Sequence, residues 1–185
     1  VITEYGMFGN ELIYFYTTIF EKYKKLKEIN LRDLYDLSGI DFIGKVVNLS
    51  KNKIEYINYK SHPELKLSVL IQMTTCIPII FKPILYKDNY YVDGGICGNF
   101  PNEINRSKNY LGLNILNSGD NNIENIYDYL LALKKIIGRT QNNNKNKKII
   151  DMKIDINVLD IDLSIDKKNE IIKEGYSQTE NHFNN

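Results

Sequence analysis

Asp93 is followed by Gly94 and Gly95, and then by Ile96-Cys97-Gly98-Asn99-Phe100-Pro101. A carboxylate at the end of an extended run, ahead of two residues without Cβ, lies where the backbone can turn sharply and a second loop can come close. Held there, an aspartate can act as a general base, taking a proton from a hydroxyl nucleophile or a water within hydrogen-bond reach. The same residues also make a plain tight turn, because Asp-Gly and Gly-Gly are strong turn dipeptides. Both readings stay open on these three residues alone. Cys97 is a weaker candidate: a nucleophilic thiol needs a partner base or a positive environment, and nothing nearby in sequence offers a histidine or a helix N-terminus. It reads as a small buried residue. The glycines at 94, 95 and 98 lack the Lys-Ser/Thr of a phosphate loop and match no dinucleotide spacing, so nucleotide binding is discarded. His62 sits in Ser-His-Pro and His182 three residues from the C-terminus, and both read as surface residues. Two histidines and two cysteines, Cys76 and Cys97, cannot supply a four-thiolate metal site or a disulfide framework.

Such a carboxylate works only if ordered elements hold it. Leu12, Phe15, Tyr16, Ile19, Phe20, Tyr23 and Leu26 recur at helical steps and predict an amphipathic helix over Asn10 to Lys27. A short helix from Leu31 to Leu37 should end at Ser38-Gly39, where glycine can take the left-handed conformation. Asp41 to Leu49 and Ile54 to Tyr59, separated by the polar Ser50-Lys-Asn-Lys53, predict a β-hairpin. Glu64 to Cys76 places Leu65, Val69, Met73 and Cys76 on one helical face, and Pro78 stops that helix. Ile79 to Leu85, containing Pro83, reads as a buried extended segment, and Asn89 to Val92 as a strand running into Asp93. Further on, Tyr110 to Leu116 and Lys148 to Val158 look extended. Ile123 to Ile137 reads as a helix, and Asp166 to Phe183 as a helix with Ile172, Tyr176, Thr179 and Phe183 on one face. Lys134 to Lys148, with Asn142-Asn143-Asn144, reads as a solvated basic loop. Strands alternating with helices predict an α/β layer structure.

The 185 residues are enough for a sizeable core, and 43% hydrophobic with 25% charged residues is the composition of a folding chain. A net charge of +1 supplies no global field toward nucleic acid. Stretches such as Ile77 to Phe81 fall far short of the roughly 18 apolar residues of a membrane span. With no secretion signal visible and little cysteine, an intracellular, cytoplasmic setting is expected.

Beyond Asp-Gly-Gly, the run Cys76-Ile-Pro78-Ile-Ile-Phe81-Lys-Pro83-Ile84, then Tyr91-Val-Asp93-Gly94-Gly95, then Asn99-Phe-Pro101, resembles the C-terminal signature of patatin-like phospholipases. That family's pattern is Ser-x-x-x-Pro-x-x-Phe-x-Pro, a strand ending in Asp-Gly-Gly or Asp-Gly-Ala, and often Asn-x-Pro. Thr74 stands where the serine of this segment is usual. Tyr35-Asp-Leu-Ser-Gly39 is similar to the family's Tyr-x-x-Thr-Gly, and Gly175-Tyr176 to the Gly-Tyr of its last helix. The resemblance implies a three-layer α/β/α fold and a lipid acyl hydrolase with a Ser-Asp dyad, in which Asp93 is the base and no histidine intervenes. It implies Gly94, Gly95, Asn99, Pro101, Pro78 and Pro83 as supporting motif residues, and neither metal nor cofactor. The implied substrate is a phospholipid or other lipid ester, met peripherally at a membrane surface.

The family's serine lies in a Gly-x-Ser-x-Gly elbow, and none of Ser38, Ser50, Ser61 or Ser68 has glycines at both offsets. The glycine-rich oxyanion loop is missing as well. Residues 1–185 are therefore expected to form one partial patatin-like domain, its C-terminal portion, cut shortly after the elbow, and to be inactive alone. The alternative is a complete, catalytically inactive lipid-binding or interaction module.

Overall fold

The computed structural model describes residues 6–8, 29–98, 100–101, 104, 110–117, 129, 132, 148–154 and 163–184. The helix expected over Asn10 to Lys27 lies outside them. So do the helix over Ile123 to Ile137 apart from Tyr129 and Ala132, the basic loop apart from Lys148, and Asn99. The chain parts into two compact units, residues 1–98 and 99–185.

In the first unit, α1 (Leu31–Ser38) starts where Asn30 caps it. The Asn30 Oδ1 accepts the Asp33 N–H at 2.8 Å, and Asp33 reciprocates by accepting the Asn30 N–H at 3.3 Å. It ends as the sequence predicts, on Gly39 at φ 68, whose N–H donates to the Tyr35 carbonyl. The predicted hairpin is β2 (Gly44–Asn48) and β3 (Lys53–Ile57), with residues 41–43 in a loop rather than in the strand. Burial alternates along β2, which carries Val46 and Asn48 inward. The buried Asn48 amide is satisfied by Glu55, at 3.0 Å, and by the Lys51 N–H.

Helix α2 (Leu67–Thr75) begins three residues later than expected. Its buried side is Leu67, Leu70 and Met73, flanked by Leu65 and Cys76, whereas Val69 is only half-buried. Leu70 points inward, where it and Thr74 fill the space above Gly44. After Pro78, β4 (Ile79–Phe81) pairs in parallel with β1 (Gly6–Phe8). Pro83 then separates β4 from β5 (Ile84–Tyr86), splitting the single segment read from sequence. The turn from β5 into β6 (Asn89–Asp93) uses Lys87 and Asp88, both at positive φ, the geometry that suits a two-residue hairpin. The resulting antiparallel sheet has the order β3-β2-β6-β5, and α2 packs on β2 and β6. Leu31, Val46, Ile57, Leu65, Leu70, Met73 and Val92 form a core at most 2% exposed. Each such side chain contributes about 1.5–3 kcal/mol by leaving water.

The second unit holds β7 (Gly112–Asn117) and β8 (Ile149–Ile154), paired in parallel, and α3 (Ile165–Asn184), which packs on β8. The face of α3 that carries Ile172, Tyr176, Thr179 and Phe183 is largely exposed. Ile172, Tyr176 and Phe183 are exposed, and of the four only Thr179 is half-buried. Gln178 decides the rotation: its side-chain amide accepts the Lys153 N–H and donates to the Lys153 carbonyl, both at 2.8 Å, and so closes the edge of β8. One turn earlier, the Met152 side chain lies against Gly175.

Candidate active site

The site grows from the register of the antiparallel sheet. Val46 stands opposite Asp93, Val47 opposite Val92 and Asn48 opposite Tyr91, so the half-buried Asp93 is the last paired residue of β6. Its own N–H donates to the Cys76 carbonyl at 2.9 Å, which ties the strand end to the segment leaving α2. The chain then enters a 3₁₀ turn, Gly94–Cys97, and the Asp93 Oδ1 accepts the Gly95 N–H at 2.7 Å. The carboxylate is thus fixed by a charge-assisted bond at the start of a turn, an arrangement that orients it rather than leaving it to rotate.

The two glycines have different duties. A Cβ on Gly94 would lie 2.4 Å from the Lys45 carbonyl oxygen and 2.6 Å from the Lys45 Cγ. Only a residue without a side chain lets the turn close over β2 at that point. Gly95 supplies the N–H that Asp93 accepts. Of the remaining motif residues, Pro78 and Pro83 are half-buried on either side of β4, where each interrupts the backbone and sets the path from α2 to β6. Pro101 is half-buried in the second unit, and its carbonyl accepts the Ile104 N–H at 3.5 Å. The structure therefore brings Asp93, Gly94 and Gly95 into one turn, flanked through Cys76 by the Pro78 segment.

Cys76 is the thiol nearest in kind to this site, and it is unsuited to attack. It is fully buried, its Sγ donates to the Lys82 carbonyl at 3.1 Å, and its pKa is pushed up to about 12 by burial and then by the Asp93 charge. Cys97 is half-buried at the end of the turn. His62 lies against Tyr86, with Nδ1 3.1 Å from the Ser61 Oγ, and burial holds its pKa below the ordinary value. It is half-buried rather than at the surface, and its ring serves the turn after β3. Thr74, at the position of the family's usual serine, donates to the Ile71 carbonyl at 3.0 Å within its own helix. Among the described residues no group of three or more His, Cys, Asp or Glu is placed to hold a metal.

Sequence reasoning missed Lys45. Its Nζ donates to the carbonyls of Cys97, at 3.3 Å, and Gly98, at 3.0 Å, so it reaches the far end of the same turn. Only the pairing of β2 with β6 reveals that neighbourhood.

Residues 10–105, which include this strand, turn and proline-rich approach, match the family model described as patatin-like phospholipase. The chain belongs to the patatin-like phospholipase family. Over 102 residues it is 30% identical to a protein described as "Probable lipid hydrolase 463L" of Invertebrate iridescent virus 6, a match covering 55% of this chain. The match spans 35% of that relative's length. Among solved structures, VipD from Legionella pneumophila superposes with a TM-score of 0.61, covering 84% of this chain and 35% of that one. At 16% identity this likeness speaks for the shared patatin-like α/β fold alone.

Proposed function

We propose that this chain carries the base half of a lipid acyl hydrolase that works through a Ser-Asp dyad. The observation that carries the reading is the Asp93 carboxylate, held by the Gly95 N–H at the end of β6 in a chain of the patatin-like phospholipase family. The relative described as a probable lipid hydrolase supports phospholipid or another lipid ester as the substrate class. In this scheme a serine hydroxyl attacks the acyl carbonyl while Asp93 takes its proton. Collapse of the tetrahedral intermediate breaks the ester C–O bond, and the proton passes to the departing alcohol. Water then attacks the acyl-enzyme with Asp93 again as base, the fatty acid leaves and the serine regains its proton.

The serine of this scheme belongs to a Gly-x-Ser-x-Gly segment that does not occur in residues 1–185. Those residues would then be the C-terminal portion of one patatin-like domain, with Asn99, Pro101, Pro78 and Pro83 as the motif residues that accompany Asp-Gly-Gly in sequence. A cytoplasmic enzyme acting peripherally on a membrane surface fits this chemistry. No helix among the described residues is long and apolar enough to cross a membrane. Leu37, Ile40 and Phe42, exposed in and beside the loop that leads into β2, favour contact with lipid.

The lack of a serine elbow in the sequence favours a second reading, a catalytically inactive lipid-binding module. The coding sequence upstream of Val1 separates the two: an in-frame Gly-x-Ser-x-Gly supports the enzyme, and a stop followed by a native start supports the module. Purified residues 1–185 should show no acyl hydrolase activity on phospholipid vesicles, and serine-dependent turnover by them would overturn the missing-serine reading. In a full-length protein carrying the elbow, Asp93→Asn should preserve folding and remove most turnover. Near-normal turnover would exclude Asp93 as the base.

A further inference from the structure

We propose that Lys45 is a positioning residue for Asp93, acting through the 3₁₀ turn that follows it. The relation begins in the ladder. Val46 is paired with Asp93, so the next residue of the returning chain, Gly94, comes to lie over Lys45. The 2.6 Å between an added Gly94 Cβ and the Lys45 Cγ means that the lysine stem occupies the space a side chain at 94 would need. From there the stem runs to the end of the turn, where Nζ meets the carbonyls of Cys97 and Gly98.

A 3₁₀ turn of four residues has little internal bonding, and its last carbonyls need donors. The Gly98 N–H returns to the Gly95 carbonyl, and the Lys45 ammonium satisfies the two carbonyls beyond it. Bonds from an ionised donor to carbonyls are stronger than neutral ones, and a cation at the carbonyl end of a turn is favourably placed. The turn is therefore held at both ends by charged side chains: Asp93 accepts the Gly95 N–H, and Lys45 donates to the carbonyls of Cys97 and Gly98. Gly95 lies between, with its N–H on Asp93 and its carbonyl on Gly98. Releasing the carbonyl end loosens Gly95, and with it the bond that orients the carboxylate.

The catalytic consequence rests on Asp93 being the base, whereas the mechanical link can be read without turnover. In the 185-residue chain, Lys45→Met keeps the stem and removes the ammonium. The Gly95 amide should exchange with solvent roughly tenfold faster or more, with the amides of α2 unchanged. Lys45→Arg, which can reach the same carbonyls, should restore slow exchange. Unchanged Gly95 exchange in folded Lys45→Met would overturn the proposal. Should that variant not fold, the wild-type chain decides: nuclear Overhauser contacts from the Lys45 Cε protons to the Gly98 Hα are expected, and their absence overturns it. In a full-length, active protein, Lys45→Met should lower kcat on the order of tenfold with KM little changed, and Lys45→Arg should recover it. If the exchange result holds while Asp93→Asn keeps its turnover, the catalytic reading fails and the positioning link stands.

Discussion

The Asp93 N–H and the Cys76 carbonyl meet at 2.9 Å, which places a buried thiol and a half-buried carboxylate at one junction between α2 and β6. Burial and the neighbouring carboxylate both oppose a thiolate there, and they push the Cys76 thiol up to about 12. Cys76 is accordingly a packing residue. In the native chain at pH 8, a thiol reagent should modify Cys97 and leave Cys76 untouched until urea unfolds the protein. Peptide mass mapping of the modified chain reads this directly, and equal labelling of both cysteines in the native state would contradict the buried placement.

Gly94 and Gly39 make a paired test of why each glycine is needed. Gly39 takes φ 68 with nothing within 4 Å of an added Cβ, so Gly39→Ala meets only the left-handed backbone cost, about 1 kcal/mol. Gly94→Ala drives a methyl into the backbone of β2, which cannot move without breaking the ladder, and should cost about 2–3 kcal/mol. Urea midpoints of the two variants give the comparison. A Gly94→Ala loss no larger than that of Gly39→Ala would show that the turn does not press on Lys45.

The parts of this fold governed by local rules were legible in the sequence. The Gly39 stop, the hairpin across Ser50 to Lys53 and the strand into Asp93 follow from periodicity and turn chemistry. Asp93 itself stood out because glycine-glycine after a strand is a local signal. Lys45 gave none: as the half-buried member of an alternating strand it looks like any solvent-facing lysine, and its partners lie 52 and 53 residues away. The packing of α3 was not legible for a related reason. An apolar stripe was visible in the sequence, whereas the contacts that orient the helix are an amide on a strand edge and a glycine under a methionine.

His62 adds a pH dependence. Burial holds its pKa below the ordinary value, with Glu55 opposing and Lys87, Lys51 and Lys53 assisting the shift. A depressed folded-state pKa means that the unfolded chain binds the proton more readily, so stability is fully present above the unfolded value of about 6.5 and is lost as pH falls through the folded value. His62→Asn should therefore flatten the decline in urea midpoint below pH 6.5 relative to the wild type. Parallel declines in the two proteins would show that His62 is not the group responsible.

Ile79 takes φ 74, directly after Pro78 and at the first position of β4. A β-branched residue in the left-handed region carries a cost of about 1–2 kcal/mol, because its Cβ crowds the following carbonyl. The neighbouring Ile80 is 4% exposed with ordinary backbone, while Ile79 is 36% exposed. Glycine at 79 removes the backbone strain, and it gives up a partly exposed side chain and some unfolded-chain entropy in return, so Ile79→Gly should fall within about 1 kcal/mol of the wild type. Ile80→Gly has strain to lose nowhere and a core contact to forfeit, and should cost about 3–4 kcal/mol or more. Chemical denaturation of the two variants decides the matter. Equal losses would mean that Ile79 is not strained and that the Pro78 segment approaches Asp93 along another backbone path.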